Sequence, residues 1–243
     1  MKSNRLRGGK LRYVDSTKPE DFIPDFGDIH PHSISLSELA DAHGSDKGTL
    51  KHNYCIKYEA IISSLCQTFQ KQKNDLKINL LEVGIACGAS LRTWCNYLPS
   101  SMITGLDIRE DCKRLCSDLD NVDIKISDAT DSDQINLALG NNKYDLIIDD
   151  GSHISEHISK TFELLWPRVR PGGFYAIEDL SCTYNPEYTN HIKNTFGIEV
   201  DNHRGTILRL LDTLLRACDH KKYHVHALSY DPQLLIIQKD SLK

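Results

Sequence analysis

The sequence has no run of about 18 apolar residues, the least a membrane-crossing helix needs. Its first residues, MKSNRLRGGKLRY, are basic, but no apolar segment of a secretory leader follows them. A cytoplasmic protein with no membrane partner is expected. A basic excess is missing too: the formal net charge is -5, which gives no electrostatic footprint for a nucleic-acid backbone. None of the eight cysteines (Cys55, Cys66, Cys87, Cys95, Cys112, Cys116, Cys182 and Cys218) falls in a C-x-x-C pair, so reduced thiols are expected rather than a disulfide scaffold. Cys112 and Cys116 are spaced for one helix face, yet two thiolates alone do not close a zinc site. Internal repeats and low-complexity tracts are absent. With 243 residues, 40% of them hydrophobic and 26% charged, the chain is long enough for one large α/β domain with a full core.

Residues 1–33 are polar and contain Pro19, Pro24 and Pro31, which reads as an extended arm or irregular cap. ISLSELADAHG then suggests a short helix ending near Gly44, and Tyr54 to Phe69 has apolar residues at helical spacing. These helices are expected to form a lid, so that residues 1–70 make an arm and lid and residues 71–243 the main domain. From Lys77 the pattern alternates strand and helix, which implies a parallel sheet covered on both faces. INLLEV, MITGLDI, VDIKISDA, YDLIIDD and GGFYAIED read as five successive strands. WPRVRPGG closes the helix before the fifth. YHVHALSYDPQLLIIQK reads as two antiparallel strands joined by a tight turn at Asp231-Pro232. The expected fold class is α/β: a Rossmann-like, doubly wound, mostly parallel seven-stranded sheet with an antiparallel C-terminal pair.

In such a sheet ligands bind at the carboxyl ends of the strands, where the strand order reverses. The first turn there, Glu82-Val-Gly84-Ile-Ala-Cys-Gly88, is G-x-x-x-G and lacks the G-x-G-x-x-G that lets backbone amides approach a pyrophosphate. A ligand with a nucleoside but no phosphate needs fewer glycines, and S-adenosylmethionine is one. Its methionyl end would lie against Gly84 and Gly88, with Glu82 orienting its amino group or the loop. Asp107, ending the second strand, is placed to accept ribose hydroxyls, and Asp128, ending the third, to accept from the adenine amino group. The plain alternative for each acid is a turn former or helix cap.

LEVGIACGAS, GLDI, YDLIIDDGSH and PGGFYAIEDL resemble the first, second, fourth and fifth strand motifs of class I S-adenosylmethionine-dependent methyltransferases. More narrowly, SDKGTLKHNY, GASLRTW, DDGSH and YAIEDL are similar to the metal-dependent sugar O-methyltransferases of macrolide antibiotic pathways, and to the related cephalosporin hydroxylase and rhamnosyl O-methyltransferase group. The resemblance spans about residues 38 to 239 and identifies residues 71–243 as the S-adenosylmethionine-binding domain.

Neighbouring strands lie about 4.8 Å apart, so Asp150 at the end of the fourth strand and Glu178-Asp179 at the end of the fifth fall within reach of one ion. Oxygen-only ligation favours a hard cation, here Mg²⁺. The resemblance implies the same three ligands. The alternative is that Asp149 and Asp150 cap the next helix while Glu178-Asp179 begin a loop. Asp149 is otherwise read as a contact to the cofactor or a support for the ligands. His153 lies three residues past Asp150; an imidazole titrates near pH 6.5, which suits a general base, and the resemblance implies that role.

HISEH also fits the H-x-x-E-H pattern of inverted zinc peptidases, which requires His153 and His157 on one helix. The hydroxylase branch raises a 2-His-1-carboxylate iron site, but only His153 is placed for it. Asp46, Lys47, Gly48, His52 and Tyr54 match the motif that, in the resembled enzymes, closes over cofactor and substrate; Lys47 and Tyr54 are taken as cofactor contacts. Arg92 and Trp94 either steady the helix after the glycine loop or simply pack. Tyr184, Tyr188 and His191 lie where such enzymes insert substrate-contacting structure. The expected activity is Mg²⁺-dependent methyl transfer from S-adenosylmethionine to a hydroxyl of a small molecule, a sugar or vicinal diol of a secondary metabolite, by a chain that could self-associate. The alternatives are a metal-dependent hydroxylase or hydrolase on the same scaffold, and a cofactor-binding partner subunit without catalysis.

Overall fold

The strands read from Lys77 onward become β1 (Asn79–Val83), β2 (Met102–Asp107), β3 (Val122–Ile126), β4 (Tyr144–Asp149), β5 (Val169–Ile177), β6 (Val225–Tyr230) and β7 (Leu235–Lys239). They were located in a computed structural model that describes residues 34–119, 121–196 and 204–241. The arm expected over residues 1–33 lies outside the described residues. The seven strands form one sheet in the order β3-β2-β1-β4-β5-β7-β6. β1 to β5 run parallel, and β7 is antiparallel to both β5 and β6. The chain leaves β1 towards β2 and returns to the other side of β1 with β4, so the strand order reverses at the β1/β4 seam.

Apolar residues bind helices to both faces. One face buries Leu36, Leu39, Tyr58, Ile62, Leu65, Leu91 and Trp94 against Leu80, Ile148 and Ala176. These come from α1 (Leu36–Ala42), α2 (Cys55–Phe69) and α3 (Ala89–Tyr97), so the expected lid helices share a core with the sheet. The opposite face packs α5 (Ser132–Leu139), α6 (Ser155–Leu165) and α8 (Arg204–Asp219) over Leu81, Val83, Ile147 and Ile177. Fully burying one such aliphatic side chain contributes about 1.5–3 kcal/mol. Two faces covered by helices make β4 buried at all six positions, as a central parallel strand must be.

α1 starts at a reciprocal cap: the Ser35 hydroxyl accepts from the Glu38 amide, and the Glu38 carboxylate accepts from the Ser35 amide. Two local readings change. WPRVRPGG does not all precede the fifth strand: residues 166–168 form a single 3-10 turn and β5 begins at Val169. The ladder to β4 passes from Tyr144–Val169 to Leu146–Phe174, so Pro171 stands where its missing N–H leaves no paired acceptor unsatisfied. Gly172 takes a φ of 77° in that irregularity. Cys112 and Cys116 do not share a long helix face either, because α4 (Cys112–Leu115) is one turn and Cys116 is its C-cap. Among the described residues, α7 (Pro186–Phe196) and α8 fill the interval between β5 and β6, and no helix is long and apolar enough to cross a membrane.

Candidate active site

Sheet register fixes the core of the site. Leu106, Val83, Asp149 and Ile177 lie side by side on β2, β1, β4 and β5. Pairing runs one residue further: the Gly84 amide donates to the Leu106 carbonyl, Asp150 to Val83, and Glu178 to Asp149. Side chains alternate along strands, so Glu82, Asp150 and Glu178 share the face covered by α1–α3, whereas Asp149 points to the other face. One sheet edge thus brings together three acids that are distant in sequence.

The turn between α1 and α2 meets them. The Lys47 ammonium, only 3% exposed, donates to Asp150 Oδ2 at 2.5 Å and to Glu178 Oε2 at 2.6 Å, and lies 3.5 Å from Glu82 Oε1. Burial alone would lower the Lys47 pKa; the Asp150, Glu178 and Glu82 carboxylates outweigh it and keep the amine charged. Burial in turn pushes the Glu82 carboxyl up to about 7 against the pull of Lys47. Glu178 also accepts a hydrogen bond from the Tyr58 hydroxyl and is raised, chiefly by burial. Tyr54 donates to Asp179 Oδ1 at 2.5 Å, and burial with that carboxylate keeps its phenol neutral.

Asp150, His153 and Asp179 offer ligand atoms that all lie within 4.8 Å of one another, the group of this kind found among the described residues. His153 Nε2 is 3.9 Å from Asp150 Oδ1 and 3.8 Å from Asp179 Oδ2. Both His153 and Asp179 adopt φ of 53°, in the left-handed region. Non-glycine residues held there store about 1–3 kcal/mol and cluster at functional sites. The donor set fits a divalent cation, because the two carboxylates of Asp150 and Asp179 and the His153 imidazole converge on one small space. Glu178, expected from the sequence as a third ligand, is not in this group: its two oxygens accept from Lys47 and Tyr58.

Several sequence readings resolve here. α6 begins at Ser155 with Ile154 as N-cap and no side-chain cap, so Asp149 and Asp150 do not cap it. His153 precedes that helix while His157 sits within it, bonded to the Ser152 hydroxyl at 2.9 Å, so the two do not form a zinc pair on one helix. Glu156 meets Thr206 on the exposed side. Tyr188 of α7 comes next to His153, with ring centroids 5.8 Å apart, and donates to the Ser152 carbonyl at 2.9 Å. His191 follows it at 6.3 Å, whereas Tyr184 faces Arg204 instead.

On the other side of Gly84 the same edge is built from backbone. Asp107 Oδ2 accepts from the Ile85 and Ala86 amides at 2.8 and 3.3 Å, and its Oδ1 from Arg109 at 2.9 Å. The acid read as a ribose acceptor therefore also pins the glycine loop. Gly84 has φ of 86°, and a Cβ there would overlap the Asp150 carbonyl. Gly88 opens α3 with φ of 82°, where a Cβ would overlap Cys116 Sγ. Arg92 donates to the Cys87 and Leu115 carbonyls and to Asp118, bracing the loop, and Trp94 packs edge-on to Tyr58. Asp128 accepts from the Thr130 amide and hydroxyl at 2.8 Å. Asp149, 4% exposed, accepts from the Tyr175 hydroxyl at 3.2 Å, and burial raises it to about 7.

Sequence reasoning did not single out Tyr58 or Tyr175. Tyr58 lies one helical turn after Tyr54, and a buried tyrosine needs a partner for its hydroxyl, which was the available signal. For Tyr175 only the strand alternation hinted at burial.

Residues 81–180 match a family model described as a methyltransferase domain. The chain is 31% identical over 189 residues to the 8-demethyl-8-alpha-L-rhamnosyl tetracenomycin-C 2'-O-methyltransferase of Streptomyces olivaceus, covering 75% of this chain and 46% of that one. It is 32% identical over 201 residues to the mycinamicin VI 2''-O-methyltransferase of Micromonospora griseorubida, covering 77% and 45%. The chain thus spans about half the length of the curated relatives it matches. Among solved structures it is similar to the MycE methyltransferase in complex with Mg, SAH and mycinamycin VI, at 25% identity and a TM-score of 0.67, over 86% of this chain and 55% of that one.

Proposed function

We propose that this chain, which carries a methyltransferase domain and resembles the sugar O-methyltransferases of antibiotic pathways, transfers a methyl group from S-adenosylmethionine to a hydroxyl of a small sugar or vicinal diol in a Mg²⁺-dependent reaction. The observation that carries this reading is the convergence of Asp150, His153 and Asp179 at the β4/β5 edge, directly beside the Gly84–Gly88 turn.

Asp150 and Asp179 would hold the ion. Glu82, Gly84, Gly88 and Asp107 would line the methionyl and ribose ends of the cofactor, with Asp128 towards the base. When bound, the ion would acidify an acceptor hydroxyl and S-adenosylmethionine would supply the methyl group. His153 stands between the two aspartates and takes the proton from the acceptor oxygen at Nε2. The Tyr188 ring, 5.8 Å from the imidazole and anchored by its hydroxyl on the Ser152 carbonyl, packs beside that base. Tyr188 and His191 present ring surfaces beside the base, where the acceptor would lie. Of the alternatives, an iron hydroxylase needs a second histidine. His52 Nδ1 lies 3.9 Å from Asp179 Oδ1 but is absent from the convergent group.

Isothermal calorimetry with S-adenosylmethionine and Mg²⁺, followed by methyl transfer from labelled cofactor to a panel of sugars and diols, tests the proposal. Binding of both, with label incorporated only when Mg²⁺ is present, is expected. Full transfer in the presence of a chelator would sink the metal-dependent mechanism, and failure of both ligands to bind would sink the function.

A further inference from the structure

Each aspartate of the convergent group divides its two oxygens in the same way. Asp150 gives Oδ2 to Lys47 and turns Oδ1 to His153; Asp179 gives Oδ1 to Tyr54 and turns Oδ2 to His153. Lys47 and Tyr54 both come from the segment joining α1 to α2, more than a hundred residues earlier in the chain. Lys47 is held on its far side by Glu178 and Glu82, and Tyr54 is buried at the N-cap of α2. Neither side chain has rotamer freedom to spare.

From this geometry we infer that Lys47 and Tyr54 are positioning residues of the metal site: the lid segment fixes which oxygen of Asp150 and of Asp179 faces the ion. The inference rests on the metal reading above and reassigns two residues whose sequence context had suggested cofactor contact. Partners that orient ligating carboxylates typically govern metal affinity by about 10–100-fold. The sign makes the inference testable. An ammonium near a divalent cation repels it, so a purely electrostatic Lys47 would weaken metal binding and its loss would tighten it. A positioning Lys47 does the reverse, since without it Asp150 is free to rotate.

Mg²⁺ and S-adenosylmethionine affinities are measured by calorimetry on wild type, Lys47→Gln, Lys47→Arg and Tyr54→Phe. All three variants are expected to lose at least tenfold in Mg²⁺ affinity while S-adenosylmethionine affinity stays within about twofold. Lys47→Gln removes a buried cation from among carboxylates and could fail to fold. Lys47→Arg keeps the charge but moves the donors, and Tyr54→Phe deletes one hydroxyl, so these two decide the matter by themselves. Unchanged or tighter Mg²⁺ binding in them overturns the inference, as does a loss of S-adenosylmethionine affinity equal to the loss for Mg²⁺. Wild-type protein that binds no Mg²⁺ removes the metal reading itself, a result distinct from variants that bind it normally.

Discussion

The two sides of the strand-end row are held by different forces. On the β1/β2 side, the Gly84–Gly88 turn is fixed by backbone amides on Asp107, by left-handed glycines and by Arg92 on main-chain carbonyls. On the β4/β5 side, Asp150, Glu178 and Asp179 are fixed by a buried ammonium and two phenols from the lid. Backbone hydrogen bonds contribute to the fold whether or not a ligand is present. The carboxylates of the second side would be completed by the ion proposed above. Damage to the first side should therefore appear first as lost stability, and damage to the second as lost activity.

The largest expected effect is on the charged side. His153→Ala should lower turnover by about 10²–10⁴-fold, the usual loss for a general base, with S-adenosylmethionine binding intact. Asp179→Asn should abolish Mg²⁺-stimulated turnover while thermal unfolding of the metal-free protein changes little. Steady-state rates with and without Mg²⁺ measure both. A His153→Ala protein with a normal rate and pH profile would remove the base from this side altogether.

How much was legible follows the same division. The strands β1 to β5, the helices α1 and α2 and the strand-end acids could be read because each depends on local signals: apolar runs, turn residues and alternation. The partners of those acids could not. Lys47 reaches Glu178 across 131 positions, and Tyr58 reaches it across 120. Nothing within a window of neighbours records that a lysine in a turn will be buried on a strand end. The placement of Pro171 and Gly172 inside β5 was hidden for a related reason, since a ladder irregularity depends on the partner strand.

Gly84→Ala should cause the largest loss of stability on the backbone side. The new Cβ overlaps the Asp150 carbonyl and the residue must keep φ near 86°, two penalties that together come to about 4 kcal/mol. Urea denaturation measures it. Because Gly84 touches the backbone of Asp150, Mg²⁺ affinity should fall as well, which would mark the point where the two sides meet. A variant as stable as wild type would show that the turn is looser than the register implies.

A titration sharpens the contrast from the far face of β4. Asp149 has a folded pKa of about 7 against an ordinary value of 3.8, raised first by burial. With the folded value above the unfolded one, its contribution to stability is fully present below about pH 4 and is lost as pH rises through 7. Asp149→Asn should abolish that loss, so the variant gains relative to wild type by on the order of 3 kcal/mol between pH 4 and pH 8. Urea midpoints at the two pH values test it. Glu82, also raised to about 7, is present in both proteins and cancels. An unchanged difference between the two proteins would mean that Asp149 is ionised in the fold at both pH values.

The smallest effect tests whether the two sides are separable. Arg92 gives its guanidinium to the Cys87 and Leu115 carbonyls at 2.9 and 2.8 Å, besides an ion pair with Asp118, which is 58% exposed. An exposed ion pair contributes about 0–1 kcal/mol, so the carbonyl contacts carry the larger share. Arg92→Lys keeps the charge but cannot span both carbonyls. It should cost about 1 kcal/mol in unfolding and loosen S-adenosylmethionine binding by severalfold, because the Cys87 carbonyl belongs to the turn that would meet the cofactor. Mg²⁺ affinity should not move, since no bond from Arg92 reaches β4 or β5. A parallel fall in Mg²⁺ affinity would show that strain in the turn is transmitted through Gly84 to Asp150, and the two sides would then have to be treated as one mechanical unit.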